Sequence, residues 1–458
     1  MFKSIINFLT FKSYPPQVKY VMWNEGAERF AFYGMRAILV MYMIGTLGFQ
    51  EHQANAIYHF FNAFLYFTPL LGAYLSDNYF GKYKTIIGFS FVYIVGIIIL
   101  SSLPTTEGLY IGLFLIALGG GGIKPCASAF AGDQLDTLDK NYNENRAKLY
   151  SMWYFMINFG SFFSTIITPI TREYFGPQIA FSIPGVLMFI AVLILIKGRK
   201  MYNHVTANPE PNYVFSVLVS ALKNFNKRDK NKGLLGGALL DFDATYVNAV
   251  KNIYQILKVF LFIIVFWSLF DQQGSSWINQ AKKMDLYLFN YKIAPDLIPF
   301  LNPAMVMLMI PLFNKYLYPF VNNHLFNLTP LRKISIGIFI SGISFGIVGF
   351  IQTLLDQGLV LGVMWQVIPY LAITAAEVLI SVTGLEFAYS QAPKFMKSTI
   401  TSFWLLTTFF GNLLAGIINE INLFTNSSDY FYFFAIVTLV FGVIFIPFAK
   451  SYKHISQN

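Results

Sequence analysis

Long apolar runs separated by short polar stretches set the pattern of this chain. The hydrocarbon core of a bilayer takes about 20 helical residues. Runs of that length recur near 19–47, 53–76, 83–103, 108–131, 149–171, 177–197, 254–279, 294–320, 333–353, 362–389, 398–421 and 429–449. The expected fold is therefore all-α: a polytopic membrane protein with twelve spanning helices. The runs are continuous rather than alternating, which argues against an outer-membrane barrel. Several contain Pro or Gly, which lipid-embedded helices tolerate when neighbours re-satisfy the backbone.

The longest break, near 198–252, holds Pro209, Pro211, an amphipathic stretch Phe215–Phe225 and the basic run 227–232. Its segments are too short and too polar to cross a membrane. It reads as a cytoplasmic linker (199–252) between two six-helix bundles, 1–198 and 253–458. Two bundles around a central loop are the layout of a secondary transporter whose site lies at midplane. The basic run is expected to be a solvated face that meets anionic headgroups. Met1 to Tyr14 carries Lys3 and Lys12 around a short apolar stretch without a small-residue cleavage site. This reads as a cytoplasmic amphipathic lead-in, not a signal peptide.

Lys and Arg concentrate on one side of the expected topology. With the N-terminus inside, the cytoplasm receives Lys82, Lys84, Lys140, Arg146, Lys148, the cluster from Lys197 to Lys232, Arg332, Lys333, Lys394, Lys397, Lys450 and Lys453, besides Lys3, Lys12 and Lys19. The outside receives Arg172, Lys282, Lys283 and Lys292. Both termini are expected in the cytoplasm.

Composition narrows the class further. The 458 residues are 56% hydrophobic and 12% charged, with a mean hydropathy of +0.55. Soluble domains run at about 25% charged, so these residues cannot cover a soluble surface of this size. A net charge of +10 raises nucleic acid as a partner, but the basic residues sit between apolar runs rather than on one face. Cys126 alone cannot make a disulfide scaffold. The histidines, at 52, 59, 204, 324 and 454, are scattered and make no ligand cluster with Cys. Neither a metal, a cofactor nor an enzymatic activity is expected.

Charged residues inside the spans carry the chemistry. Each costs about 2.5–3.5 kcal/mol at bilayer depth on insertion scales. In the first span Glu25, Glu28, Arg29, Tyr33 and Arg36 fall at steps of 3, 1, 4 and 3, forming one polar helix face. A structural ladder of Glu25 with Arg29 accounts for part of it and leaves Arg36 without a local partner. The fourth span holds Lys124 behind Gly119–Gly122, glycines that permit close helix approach or a flexible break. Snorkelling to the interface is the bland account of Lys124.

Asp271 stands in the seventh span and Asn302 in the eighth, while Glu377, Ser381 and Gly384 make a stripe at i, i+4 and i+7 in the tenth. Tyr154 and Asn158 lie one turn apart, and His59 and Tyr66 share a face. A buried histidine is more often only hydrogen-bonded than titrating. Trp404 is either packing or a cavity wall, and Cys126 reads as a small buried apolar residue.

The first half thus holds two cations without sequence neighbours, Arg36 and Lys124, and the second two such anions, Asp271 and Glu377. Cross-bundle pairing would neutralise all four and make the contact sensitive to protons and to competing ligands. A zwitterion with an amine and a carboxylate would satisfy both sides of such a cavity.

These residues closely resemble the proton-dependent oligopeptide transporter family, a branch of the major facilitator superfamily. Glu25-Gly-Ala-Glu28-Arg29-Phe30 is similar to the family's E-x-x-E-R-F signature. Gly121 to Cys126 with Asp133-Gln134, and Trp153 to Ser161, resemble its helix 4 and helix 5 blocks, Trp153 replacing Phe. Phe270 to Trp277, Leu301 to Pro303 and Glu377 to Ala392 resemble parts of helices 7, 8 and 10, and Gly72 to Lys84 resembles the superfamily's helix 2–3 loop. The animal members' large outer domain between helices 9 and 10 is absent, and residues 198–252 are too polar for the two extra helices of many bacterial members.

The resemblance implies a major facilitator fold and proton-driven uptake of di- and tripeptides by a monomer in the cell membrane. Carried over by position, Arg36 and Lys124 would hold the peptide carboxylate, and Glu377 with Asn158 and Asn302 its amino group. Tyr33, Tyr66, Tyr154 and Trp404 would line side-chain space, with Ser381 in the same substrate-binding set. Glu25, Glu28, Arg29, His59 and Asp271 would couple protons. Arg36 with Asp271 and Lys124 with Glu377 would be gate salt bridges. A same-fold carrier of an amino acid or nitrate, or a peptide sensor, is the alternative.

Overall fold

A backbone in hydrocarbon must satisfy its own N–H and C=O groups, and the apolar runs accordingly close into helix. The computed structural model describes residues 14–135, 142–205, 213–228, 233–288, 290–391, 396–424 and 426–452. Pro209, Pro211, Lys140, Ala392, Lys394, Lys453, part of the basic run (229–232) and nearly all of the lead-in lie outside the described residues. The first half builds α1 (Val18–Gly45), α2 (Glu51–Phe67, continued after Thr68 as Pro69–Leu75), α3 (Lys82–Ser102), α4 (Thr106–Gly132), α5 (Tyr142–Phe175) and α6 (Pro177–Lys197). The second half builds α7 (Ala244–Lys282), α8 (Pro295–His324), α9 (Pro330–Asp356), α10 (Val363–Ala388), α11 (Lys397–Ile421) and α12 (Ser427–Ser451).

Among the described residues, nine of these helices are long and apolar enough to cross a membrane: α3, α4 and α6 to α12. The other three carry the polar chemistry or a break. α1 bears Glu25, Glu28, Arg29 and Arg36. α2 is interrupted at Thr68-Pro69, and α5 holds Asn, Ser and Thr through its middle.

Three details depart from the sequence expectation. α7 begins at Ala244, inside the stretch read as linker. Asn248, Lys251 and Asn252 make that stretch look polar, yet Val247, Ala249, Val250 and Ile253 are buried. A two-stranded ribbon, β1 (Tyr287–Leu288) with β2 (Tyr291–Lys292), breaks the all-α pattern between α7 and α8. Its turn uses Asn290 at φ +69°, a conformation asparagine tolerates better than most residues. In α10 a π turn over Val378–Val382 interrupts the α period.

Buried apolar side chains form two clusters, one drawn from Val18 to Tyr202 and one from Val214 to Phe445. Within the first, glycines set the helix spacing. A Cβ on Gly119 would meet Tyr93, one on Gly121 would meet Thr68, and one on Gly72 would strike the Gly121 carbonyl. The four-glycine run is therefore a close-approach surface for α2 and α3, and α4 passes through it unbroken to Gly132. The halves meet where α2 packs on α11 and α5 packs on α8. Among the described residues, three cross-half ion pairs lie towards the end that holds the α1–α2 turn: Arg36–Asp271, Arg172–Asp296 and Glu51–Lys283.

Candidate functional site

The polar face of α1 is held against α5 by a glycine contact. A Cβ on Gly160 would strike the Gly26 carbonyl, so only glycine there lets α5 approach the stripe. Arg29 Nε donates to Glu25 Oε1 at 2.7 Å and lies 3.2 Å from Glu28 Oε2. The local Glu25–Arg29 ladder exists, and Arg29 serves both carboxylates. Glu25 Oε2 and both Glu28 oxygens are buried without a hydrogen-bond donor among the described residues. Unfilled acceptors of this kind are uncommon in native interiors.

Two turns further along the same face, Arg36 reaches across to the second half. Its Nη2 donates to Asp271 Oδ1 at 2.6 Å, and its Nε donates to Tyr58 Oη at 2.5 Å. Asn412 Nδ2 donates to Asp271 Oδ2 at 2.6 Å. The Asn412 carbonyl oxygen stands 2.9 Å from His59 Nδ1, and Ser275 Oγ stands 3.0 Å from His59 Nε2. One network therefore ties α1 and α2 to α7 and α11. It depends on a break in α7, where the helix gives way to a 3-10 turn over Asp271–Gly274.

Gly274 makes room for that network, because a Cβ there would collide with the Tyr58 hydroxyl. Gly274→Ala should displace Tyr58 from Arg36 and cost about 1–3 kcal/mol, the usual range for overpacking. Gly88, with open space around its missing Cβ, is the control. A melting-temperature comparison checks this: equal values for the two variants would mean that Gly274 has no packing role.

Lys124 does not meet Glu377, so the second expected gate pair is not made in this structure. Its Nζ sits 4.1 Å from the centroid of the Phe32 ring and 4.4 Å from that of Tyr66. Two ring faces thus hold an ammonium that has no hydrogen-bonded carboxylate among the described residues. Glu377 Oε2 instead accepts from Asn302 Nδ2 at 2.8 Å, and the same amide reaches Thr374 Oγ1 at 3.1 Å. Asn302 is an orienting group for Glu377. With the halves joined at the α1–α2 end, each charge is satisfied on its own side.

The remaining expected residues separate into two groups. Tyr33 lies within electrostatic reach of Arg29, Arg36, Asp271 and Glu377, and Tyr154 within reach of Glu377 and Tyr33. Tyr33 therefore has charges of both halves within reach. Asn158 donates to the Tyr154 carbonyl of its own helix. Ser381 is half-buried in the π turn, which carries it off the α-helical register with Glu377. Gly384 faces Trp404, and Trp404 is buried against Phe260 with ring centroids 5.4 Å apart. Trp404 is a packing residue of the second core in this structure, and the Glu377–Ser381–Gly384 stripe is not one continuous face. Cys126 is buried, as a small apolar residue would be.

Tyr58, Asn412 and Ser275 escaped the sequence reading, as did Asp296. Arg172 Nε donates to Asp296 Oδ2 at 2.7 Å and its Nη2 to Oδ1 at 3.0 Å, a two-pronged pair between α5 and α8. Asp296, next to Pro295 at the mouth of an apolar run, resembles a loop residue in the sequence. Neutral amides and hydroxyls inside apolar runs would have been the signal for the others.

A sequence model of the POT family matches residues 83–431. The chain is 37% identical over 364 residues to Peptide transporter family 1 of Drosophila melanogaster, covering 75% of this chain and 48% of that protein. It is 36% identical over 368 residues to Solute carrier family 15 member 2 of Homo sapiens, covering 75% and 50%. The chain spans about half the length of the curated relatives it matches. Among solved structures, an auto-inhibited POT family peptide transporter superposes with a TM-score of 0.87 at 33% identity, covering 97% of this chain and 98% of that one. The POT family transporter PepTSo superposes with a TM-score of 0.88 at 36% identity, covering 96% and 98%.

Proposed function

The chain belongs to the POT family, and on that premise we propose that it is a proton-coupled symporter taking up di- and tripeptides across the cell membrane by alternating access. In this reading all twelve long helices span the bilayer as two six-helix bundles of the major facilitator type, joined by the linker, with both termini in the cytoplasm. The α1–α2 end is then the outer end, and the described conformation is closed to the outside. The protein acts as a monomer and takes its energy from the proton gradient, without a cofactor or metal.

One observation carries the reading: Tyr33 has Arg29 and Arg36 of the first half and Asp271 and Glu377 of the second within electrostatic reach. Arg36 and Asp271 are already joined across the halves. Lys124 and Glu377 are each held by neutral groups and remain open to a ligand. A peptide carboxylate suits Lys124 and Arg36, and a peptide ammonium suits Glu377, whose second oxygen is free of Asn302. Tyr33, Tyr66 and Tyr154 supply amphipathic walls tolerant of varied side chains.

Protons enter the cycle through the buried acceptors. Protonating Asp271 or His59 weakens the Arg36–Asp271–Asn412–His59 network, so the outer end opens more readily. A proton on Glu25 or Glu28 fills an oxygen that lacks a donor and frees Arg29 from double service. By linkage, each bound proton changes peptide affinity by the factor by which peptide changes proton affinity.

A panel of di-, tri- and tetrapeptides in proteoliposomes, with and without an inward proton gradient, tests the proposal. Gradient-dependent accumulation is expected for the first two sizes and not the third. Equal uptake with the gradient collapsed, or competition by nitrate or free alanine but not by dialanine, would replace this reading with the amino-acid or anion carrier.

A further inference from the structure

α2 and the last turns of α7 run side by side in opposite directions, and their facing residues pair at a four-residue step. Glu51 meets Lys283 at 3.5 Å, Asn279 Nδ2 donates to Asn55 Oδ1 at 3.0 Å, and Ser275 Oγ meets His59 Nε2 at 3.0 Å. Positions 51, 55 and 59 lie on one face of α2, whereas Asn279 stands in the last helical segment of α7 with Ser275 and Lys283 capping its two ends. Each rung joins one half of the protein to the other.

Exposure falls steeply down this ladder. The side chains of Glu51 and Lys283 are 38% and 41% exposed, Asn55 and Asn279 are 6% and 5%, and His59 and Ser275 are 0%. A polar cavity of about 180 Å³ opens beside the top rung. Glu51, His52 and Lys283 line it, as do Asn55, Asn279 and Tyr430, whereas His59 and Ser275 do not. The Asn279 Oδ1 atom is buried at the cavity wall with no hydrogen-bond partner among the described residues.

We propose that the Asn55–Asn279 rung is the proton-tight floor of this outer cavity, a positioning pair that keeps His59 and Asp271 from outside water while the outer end is closed. The inference rests on the proposed transport cycle. A carrier that takes protons from one side and releases them on the other must isolate its proton site from the first side while it is open to the second. Otherwise the gradient drains through the protein.

The chemistry of the rungs fits that task. Glu51, His52 and Lys283 at the mouth are charged or titratable and stay hydrated. Below the floor, His59 faces Asp271 of α7, Arg36 of α1 and Tyr58 of its own helix, besides Asn412 of α11 and Ser275. A carboxylate or imidazole in the middle rung would itself relay protons to that group. An amide does not exchange a proton in the working pH range. Its single neutral hydrogen bond can be remade with water each time the halves part.

The full chain in liposomes, with a pH-sensitive dye trapped inside, gives the test. Asn279→Ala should raise the proton leak in the absence of peptide by about tenfold and cut gradient-driven accumulation of labelled dialanine by a similar factor. Counterflow exchange at equal pH should stay within about twofold, because it needs the rocking motion but no proton barrier. Asn55→Ser, a milder change on the opposite half, carries the same expectation if the alanine variant fails to fold. Lys283→Gln at the mouth should leave all three measurements near wild type. An unchanged leak in both asparagine variants overturns the proposal, and so does a parallel loss of accumulation and counterflow at unchanged leak. Absence of dialanine counterflow in the wild type would instead sink the proposed function, while the leak measurement still reads the seal.

Discussion

Arg36→Ala should abolish uptake of labelled dialanine and lower the melting temperature in the same protein. Arg36 is bound to Asp271 and Tyr58, and among the described residues Asp271 keeps only Asn412 once the guanidinium is gone. Removing one partner of a buried ion pair costs about 3–5 kcal/mol, because the other charge is left without compensation. A loss of that size exceeds the gap between the two conformations of many carriers, so the outside-closed state should lose its population.

The double variant Arg36→Ala/Asp271→Ala separates the two roles of the arginine. With both charges gone no uncompensated carboxylate remains, and most of the stability should return. Uptake should not return, because the proposed carboxylate contact is still missing. Melting temperatures that fall additively would show that the pair does not close the halves. Recovered uptake in the double variant would remove Arg36 from the peptide site.

Glu377→Gln should fold normally and still lose proton-driven uptake. The amide of Asn302 now donates to a Glu377 oxygen at 2.8 Å, and a glutamine carbonyl can accept that bond. What is lost is the negative charge available to a peptide ammonium. Hydrogen bonds to charged groups contribute about 1.5–3 kcal/mol, which is roughly a 10- to 100-fold loss of affinity. An N-acetylated dipeptide supplies the cross-check. The wild type should prefer the free amine strongly, whereas the variant should treat the two alike. Full gradient-dependent uptake by Glu377→Gln, with unchanged preference for the free amine, would take Glu377 out of the site.

The α1 stripe was legible because its members share one helix, where spacing alone decides what faces what. Glu25, Arg29 and Arg36 could be aligned by counting, and the Glu25–Arg29 bond follows that count. The same spacing in α10 does not make one face. A π turn widens the helix by a residue there, so Ser381 and Gly384 leave the register of Glu377. The partner of Arg36 is 235 residues away, and Asn412 lies 141 residues from Asp271. No periodicity reports a meeting at such distances. Tyr58, Asn412 and Asn279 were passed over for a related reason: a neutral polar residue inside an apolar run carries no energetic alarm comparable to a charge.

The amino-acid order by itself determined that this chain is a bundle of long apolar helices, and that a few ionised groups must turn inward. Both follow from solvation, since lipid penalises bare backbone and bare charge whatever the neighbours are. Which charges meet was left to the tertiary structure. Charge counting sets two cations against two anions, yet Lys124 and Glu377 are each satisfied within their own half by two rings or an amide. Partnership depends on how the halves sit against each other, through the contacts of α2 with α11 and α5 with α8. Those contacts are made of shape, glycine against backbone and ring against ring, and shape is a property of the packed surface that no linear count of residues contains.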